Sequence, residues 1–140
     1  MLRFILRRAR EQLYAGVAEA GYENLNPAHM LVFRSPGPQG LRPSEIANEM
    51  RITKQSVNDL LRHLERHGYL VLDPDPTDGR ARVVRLTDKG RVLESVVNDE
   101  AQRTEERIGK RLGPRRYAQL CSALEDIVDD LGTDQEEPGV

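Results

Sequence analysis

Between Thr53 and His67 the polar residues Lys54, Gln55, Asn58, Arg62 and Arg66 recur opposite Val57, Leu60, Leu61 and Leu64. The apolar set, spaced i, i+3, i+4 and i+7, is the inner stripe of a helix. The polar set therefore faces outward, with Ser56 on the exposed first turn. These side-chain types suit a major groove: glutamine and asparagine can pair bidentately with adenine, and lysine or arginine with guanine or phosphate. The backbone amides near Thr53 to Ser56 offer a further anion site at the helix N-terminus. The alternative is a merely solvated polar face. Asp59 on the flank favours that alternative slightly, because a carboxylate repels a phosphate backbone.

A second cluster, Asp78-Gly79-Arg80-Ala81-Arg82, puts two guanidiniums at or beside a turn tip, with a carboxylate two residues away. A narrow minor groove has a deep negative potential and admits an arginine on a thin loop. A carboxylate at that spacing can hold the guanidinium fork in a fixed direction. Alone, such a turn is usually a surface ion pair; beside the helix just described, the nucleic-acid reading prevails.

Catalytic chemistry finds little support. No nucleophile elbow, phosphate loop or metalloprotease spacing occurs, so neither an enzyme nor a cofactor is expected. His63 and His67 are four apart and could share a helix face, but zinc needs further ligands and His29 is remote in sequence. They read as ordinary surface or groove-facing histidines, and no metal site is expected. Cys121 lies on the Tyr117–Leu131 apolar stripe with no nearby base or cation to stabilise a thiolate, so it reads as a buried packing residue. The aromatics Tyr14, Phe33, Tyr69 and Tyr117, among only four Tyr and two Phe in the chain, read as core.

The elements that position the two clusters follow from periodicity and punctuation. The chain has 140 residues, 31% charged and 38% apolar, enough to build a core without metal or disulfide staples. Its single cysteine and the absence of an uncharged run longer than ten residues point to a cytoplasmic protein with no membrane partner. Residues 1–41 and 42–91 each carry a net charge of +2, and residues 92–140 carry −6. That asymmetry suits a protein meeting a polyanion with one face only.

Leu2, Ile5, Leu6, Ala9, Leu13 and Val17 form one helical stripe, with Gly21 as its stop. Asn26-Pro27 starts a short helix through about Arg34, and the breakers from Ser35 to Gly40 make a loop. Pro43 opens a helix to about Met50, and Thr53 caps the next, which runs to His67 and stops at Gly68. Tyr69–Asp73 and Ala81–Leu86 read as strands joined by a turn-rich loop. Thr87 caps a long helix carrying Leu93, Val96, Val97, Ala101, Ile108 and Leu112. Gly113-Pro114 breaks it before a last helix.

Two helices joined by a three-residue connection and followed by a hairpin describe a winged helix-turn-helix. The fold class is therefore mainly α, with a two-stranded wing and long terminal dimerisation helices. The expected organisation is a DNA-binding region over 35–90, dimerisation helices over 1–34 and 91–132, and an acidic tail over 133–140, in a single compact unit.

Leu41 to Leu93 resembles the DNA-binding core of the multiple-antibiotic-resistance regulator (MarR) family. The pattern runs Glu45-Ile46-Ala47, Ile52-Thr53-Lys54-Gln55-Ser56-Val57, Leu60-Leu61 and Leu64-Glu65-Arg66-His67-Gly68-Tyr69. It continues as Asp75-Pro76-Thr77-Asp78-Gly79-Arg80-Ala81-Arg82 and closes with Leu86-Thr87-Asp88-Lys89-Gly90. The resemblance implies a homodimeric repressor or activator with recognition helices in successive major grooves of double-stranded DNA and wing arginines in the minor groove. It also implies a small-molecule effector, whose identity the sequence does not disclose. By position, Asp78 and Arg80 match the family's aspartate and groove-inserting arginine, and Thr53, Gln55, Ser56 and Asn58 fall where its recognition-helix contacts lie.

Two positions depart from the family. Arg51 stands where glycine is frequent, which costs roughly 1–2 kcal/mol if the backbone there is left-handed, unless a phosphate contact offsets it. Gly79 replaces a frequent further arginine and removes one wing charge. The expected DNA-binding set is Thr53, Lys54, Gln55, Ser56, Asn58, Arg62, Asp78, Arg80 and Arg82. Within it Gln55, Ser56 and Asn58 read bases, Lys54 and Arg62 contact phosphate, and Arg80 and Arg82 anchor the wing. The competing class is a dimeric adaptor that kept the fold and uses the helix face for another protein.

Overall fold

The computed structural model describes residues 1–22, 24–34 and 37–133. Six helices and one hairpin follow in the order α1 (Leu2–Glu19), α2 (Pro27–Val32), α3 (Pro43–Met50), α4 (Lys54–Arg66), β1 (Leu70–Asp75), β2 (Asp78–Leu86), α5 (Asp88–Leu112) and α6 (Pro114–Thr133). The chain divides into two units, Met1–Gln102 and a second beginning at Arg103. The expected start of the DNA-binding region, Ser35 and Pro36, and the acidic tail beyond Thr133 lie outside the described residues. No helix is long and apolar enough among the described residues to cross a membrane.

Local chemistry explains the boundaries. Asn26 accepts a hydrogen bond from the His29 amide at 3.1 Å, and the Asn26 amide donates to His29 Nδ1 at 3.0 Å. This reciprocal cap, followed by Pro27 at the first helical position, starts α2. Thr53 Oγ1 accepts from the Ser56 amide at 3.1 Å and starts α4. Gly68 (φ 77°) and Gly113 (φ 78°) take the left-handed conformation that ends α4 and α5. Between α3 and α4 the same conformation falls to Arg51, at φ 53° and ψ 45°.

The core of the first unit gathers Leu13 and Val17 of α1, Met30 and Phe33 from α2 and its end, and Ile46 of α3. Val57, Leu61 and Leu64 of α4, Leu70 and Val84 of the hairpin, and Leu93 and Val97 of α5 also belong to it. Phe33 and Tyr69 are buried there edge to face, 6.4 Å between centroids, as core aromatics. The apolar residues at the start of α1 do not join it: Leu2, Phe4, Ile5 and Leu6 are about half exposed. In the second unit Leu120, Leu124, Ile127 and Val128 of α6 are likewise exposed. Cys121 is half-buried beside Tyr117 rather than fully buried.

The hairpin strands reach two to three residues further toward the turn than Tyr69–Asp73 and Ala81–Leu86. They pair antiparallel from Leu70↔Leu86 to Pro74↔Arg82, and then Asp75 pairs with Asp78. The jump from Arg82 to Asp78 is a β-bulge that leaves Gly79, Arg80 and Ala81 without partners on β1. Pro76 and Thr77 are the tip. Pro74 is tolerated because a two-stranded sheet has only edges.

Candidate nucleic-acid interface

Helix α4 separates its faces as the periodicity predicts. Val57, Leu61 and Leu64 are fully buried and Leu60 is half-buried against the core, whereas Lys54, Gln55, Ser56, Asn58, Arg62 and Arg66 are exposed. The first turn is held rigid from outside the helix ladder: the Thr53 hydroxyl donates to Ser56 Oγ at 2.9 Å while accepting the Ser56 amide. That cap consumes one of the free amides at the N-terminus and leaves those of Lys54 and Gln55 to point forward. Arg62 pairs with Asp59 at 3.3 Å, so the carboxylate on the flank offsets part of its charge rather than standing alone.

The wing differs from expectation in its side-chain directions. Asp78 Oδ1 accepts the Arg80 backbone amide at 3.1 Å and does not hold the Arg80 guanidinium. A two-residue spacing closes an aspartate-capped turn more readily than it reaches a long side chain. The Arg80 guanidinium, carried on the bulge and not at the tip, has no side-chain partner among the described residues. Arg82 Nη1 donates to the Leu72 carbonyl at 2.8 Å, which lays its side chain across the hairpin instead of projecting it. Arg85 is tied to Asp73 at 2.6 Å.

Sequence reasoning passed over two parts of this site. The first is Arg42, whose Nε and Nη2 lie 2.7 and 2.6 Å from Asp75 Oδ2. Asp75 Oδ1 accepts both the amide and the hydroxyl of Thr77 at 2.8 Å. These Thr77 bonds, and then Arg42, hold the buried Asp75 carboxyl down at about 2. The 33-residue separation of Arg42 from Asp75 left no local signal.

The second part is a column of all three histidines. His29 stacks on His63 with centroids 4.1 Å apart, and His63 lies 4.3 Å from His67. His29 is thus brought to the pair from which the sequence separates it. Each ring has one nitrogen engaged: His29 Nδ1 by the Asn26 amide, His63 Nε2 by the Asn24 carbonyl at 2.8 Å, and His67 Nδ1 by the His63 carbonyl at 2.8 Å. No group of three His, Cys, Asp or Glu among the described residues is arranged to hold a metal ion.

An exposed polar helix preceded by a short tight-turned helix and followed by an arginine-bearing hairpin defines a winged helix-turn-helix protein. The sequence pattern of the MarR family matches residues 24–81. The chain belongs to the MarR family. It is 36% identical over 91 residues to the HTH-type transcriptional regulator PetP of Rhodobacter capsulatus, covering 64% of this chain and 54% of that one. The match thus spans about half the length of that relative. The transcriptional repressor CouR, solved bound to a 23-mer DNA duplex, is 30% identical, with a TM-score of 0.72 over 91% of this chain and 89% of its own. FabT of Streptococcus pneumoniae, solved in complex with DNA, shares the fold at 21% identity, with a TM-score of 0.80 over 96% and 94% of the two chains.

Proposed function

We propose that this protein is a sequence-specific DNA-binding transcriptional regulator that acts in the cytoplasm as a homodimeric repressor on a pseudo-palindromic operator. The observation that carries the reading is the pairing of a one-sided α4 with an Arg80 guanidinium that has no side-chain partner among the described residues and sits on a bulge of the wing. In it Gln55, Ser56 and Asn58 read base edges from a first turn that Thr53 holds rigid. Lys54 and Arg62 meet phosphates, Arg62 after leaving Asp59. Arg80 enters the minor groove, with Asp78 shaping the turn and Arg82 bracing the hairpin.

Dimerisation is supported by the half-exposed Leu2, Ile5 and Leu6 of α1 and by Leu124, Ile127 and Val128 of α6, surfaces that water disfavours and a second copy would cover. Two-fold symmetry then places half-sites about 34–36 Å apart. Release by a small-molecule effector of unknown identity is carried by family membership alone. Catalysis has no part in this reading.

The test is fluorescence anisotropy of duplex DNA against salt for wild type and Arg80→Ala. Wild type should bind with log K falling at a slope of about −0.9 per phosphate neutralised. Arg80→Ala should weaken binding by about 1–3 kcal/mol. Failure of wild type to bind even at low salt sinks the reading and turns the α4 face toward a protein partner.

A further inference from the structure

The wing is attached to the rest of the reading head at two heights. At its base the Gly40 amide donates to the Val84 carbonyl at 2.7 Å, the Val84 amide to the Leu41 carbonyl at 2.9 Å, and the Leu86 amide to Gln39 Oε1 at 2.7 Å. These bonds engage the end of β2 remote from the turn. Near the tip Asp75 belongs to the last pair before the turn, and Arg42 reaches it from the residue that caps α3. Arg82 and Arg85 bond within the hairpin itself and do not tie it to a helix.

The two oxygens of Asp75 divide the task. Oδ1 closes the Pro76–Thr77 turn through both Thr77 donors, and Oδ2 takes both nitrogens offered by Arg42. The backbone of Arg42 is itself fixed, since its amide donates to Glu45 Oε2 at 2.6 Å and Pro43 follows it. Asp75 is only 8% exposed, so this is not an ion pair between two solvated surface side chains.

The consequence is mechanical. From Val84 to Asp78 a strand spans about 15–20 Å at roughly 3.3 Å per residue. A two-stranded hairpin is only marginally stable without support. Rocking of about 10° at its base would move the far end by about 3 Å, well beyond the tolerance of about 0.5 Å that a positioned contact needs. We propose that Arg42 is a positioning residue for the wing, clamping Asp75 to the start of α3 so that Arg80 is held at a fixed height and angle to α4. The proposal rests on the reading of Arg80 as a DNA contact.

The test is a double-mutant cycle read by anisotropy on a fluorescein-labelled A·T-rich duplex of roughly 30 base pairs, long enough for two half-sites one helical turn apart. In wild type Arg80→Ala should weaken binding about fivefold to a hundredfold. Arg42→Gln and Asp75→Asn should each weaken it about fivefold or more, and in either background Arg80→Ala should cost less than about twofold further. Trypsin should cut after Arg80 faster in both clamp variants, a change that a role confined to phosphate contact would not produce.

Additive losses, with Arg80→Ala costing as much in Arg42→Gln as in wild type, overturn the clamp while leaving the DNA reading of the wing intact. Tighter binding by Asp75→Asn also overturns it, because that is the outcome if Arg42 touches phosphate directly and the carboxylate merely competes. A silent Arg80→Ala in wild type removes the underlying reading and the clamp with it. Should Arg42→Gln fail to fold, Arg42→Lys, which keeps the charge without the fork, runs the same cycle.

Discussion

At Arg51 the backbone sits at φ 53° and ψ 45°, a conformation in which a Cβ costs roughly 1–2 kcal/mol. The side chain is exposed and has no partner among the described residues, so none of these offsets that strain. Arg51→Gly relieves the strain but frees the unfolded backbone, and a net stabilisation of about 0.5–1 kcal/mol is expected, raising Tm by about 2–4 °C. Arg51→Ala should give no such gain, and equal melting of the two variants would refute the strain.

His29 carries a prediction of opposite sign. Burial foremost, then the neighbouring His63 and His67, lowers its pKa from 6.5 to about 4. The unfolded chain therefore takes up the proton first. Stability is full above about pH 6.5 and is lost as pH falls through 4. A fully enclosed ring would lose about 2 kcal/mol by pH 5; some water reaches this one, so about 1 kcal/mol is expected. Urea unfolding at pH 7.5 and 5 should show that drop in wild type and a smaller one in His29→Gln; equal drops would assign the effect to other groups.

Element boundaries rest on a few contacts with calculable consequences. Thr53 supplies the α4 cap, and Thr53→Ala should cost about 1 kcal/mol by thermal or urea unfolding. Helix α5 enters at Gly90, where an added Cβ would overlap the Tyr69 carbonyl, a backbone atom that cannot swing away. Gly90→Ala should therefore destabilise by about 1–3 kcal/mol despite the better helix propensity of alanine, and a neutral result would show that the α4–β1 junction yields. Helix ends were legible in the sequence because caps and stops are local chemistry: Asn26-Pro27, Thr53, Gly68 and Gly113 all act within four residues. The wing strands were less so. Pro74, Pro76 and Asp78-Gly79 read as loop, yet Asp75 closes a tight turn over Thr77 and the ladder continues almost to the tip.

For the whole molecule, the question is what covers the apolar residues the chain leaves in water. Ile5 on α1 is 52% exposed and Leu124 on α6 is 43% exposed, too much apolar surface on helices of 18 and 20 residues to be incidental. Ile5→Asp and Leu124→Asp should each weaken self-association tenfold or more, given about 1.5–3 kcal/mol for burying one such side chain. Analytical ultracentrifugation checks this, and a wild-type monomer at micromolar concentration would remove both the dimer and the half-site spacing. The −6 charge of residues 92–140 should disfavour approach of that part of the chain to a polyanion, in contrast to the +2 carried by each of residues 1–41 and 42–91.

Residue order alone sufficed for the helix-turn-helix, the face that α4 turns outward and the terminal helices left with unpartnered stripes. Each follows from periodicity and capping, which operate over one or two turns of chain. Comparison with the family marked Arg51 as standing where glycine is frequent, and the structure showed that its backbone is left-handed. Folding in three dimensions settled where the charged side chains point. Arg80 was freed by a bulge, Arg82 was drawn across the hairpin, Asp75 was claimed by Arg42 from 33 residues away, and His29 was stacked on His63. Those outcomes depend on which partner lies nearest after the chain has packed, and a long flexible side chain carries no trace of that partner in its own neighbourhood of the sequence.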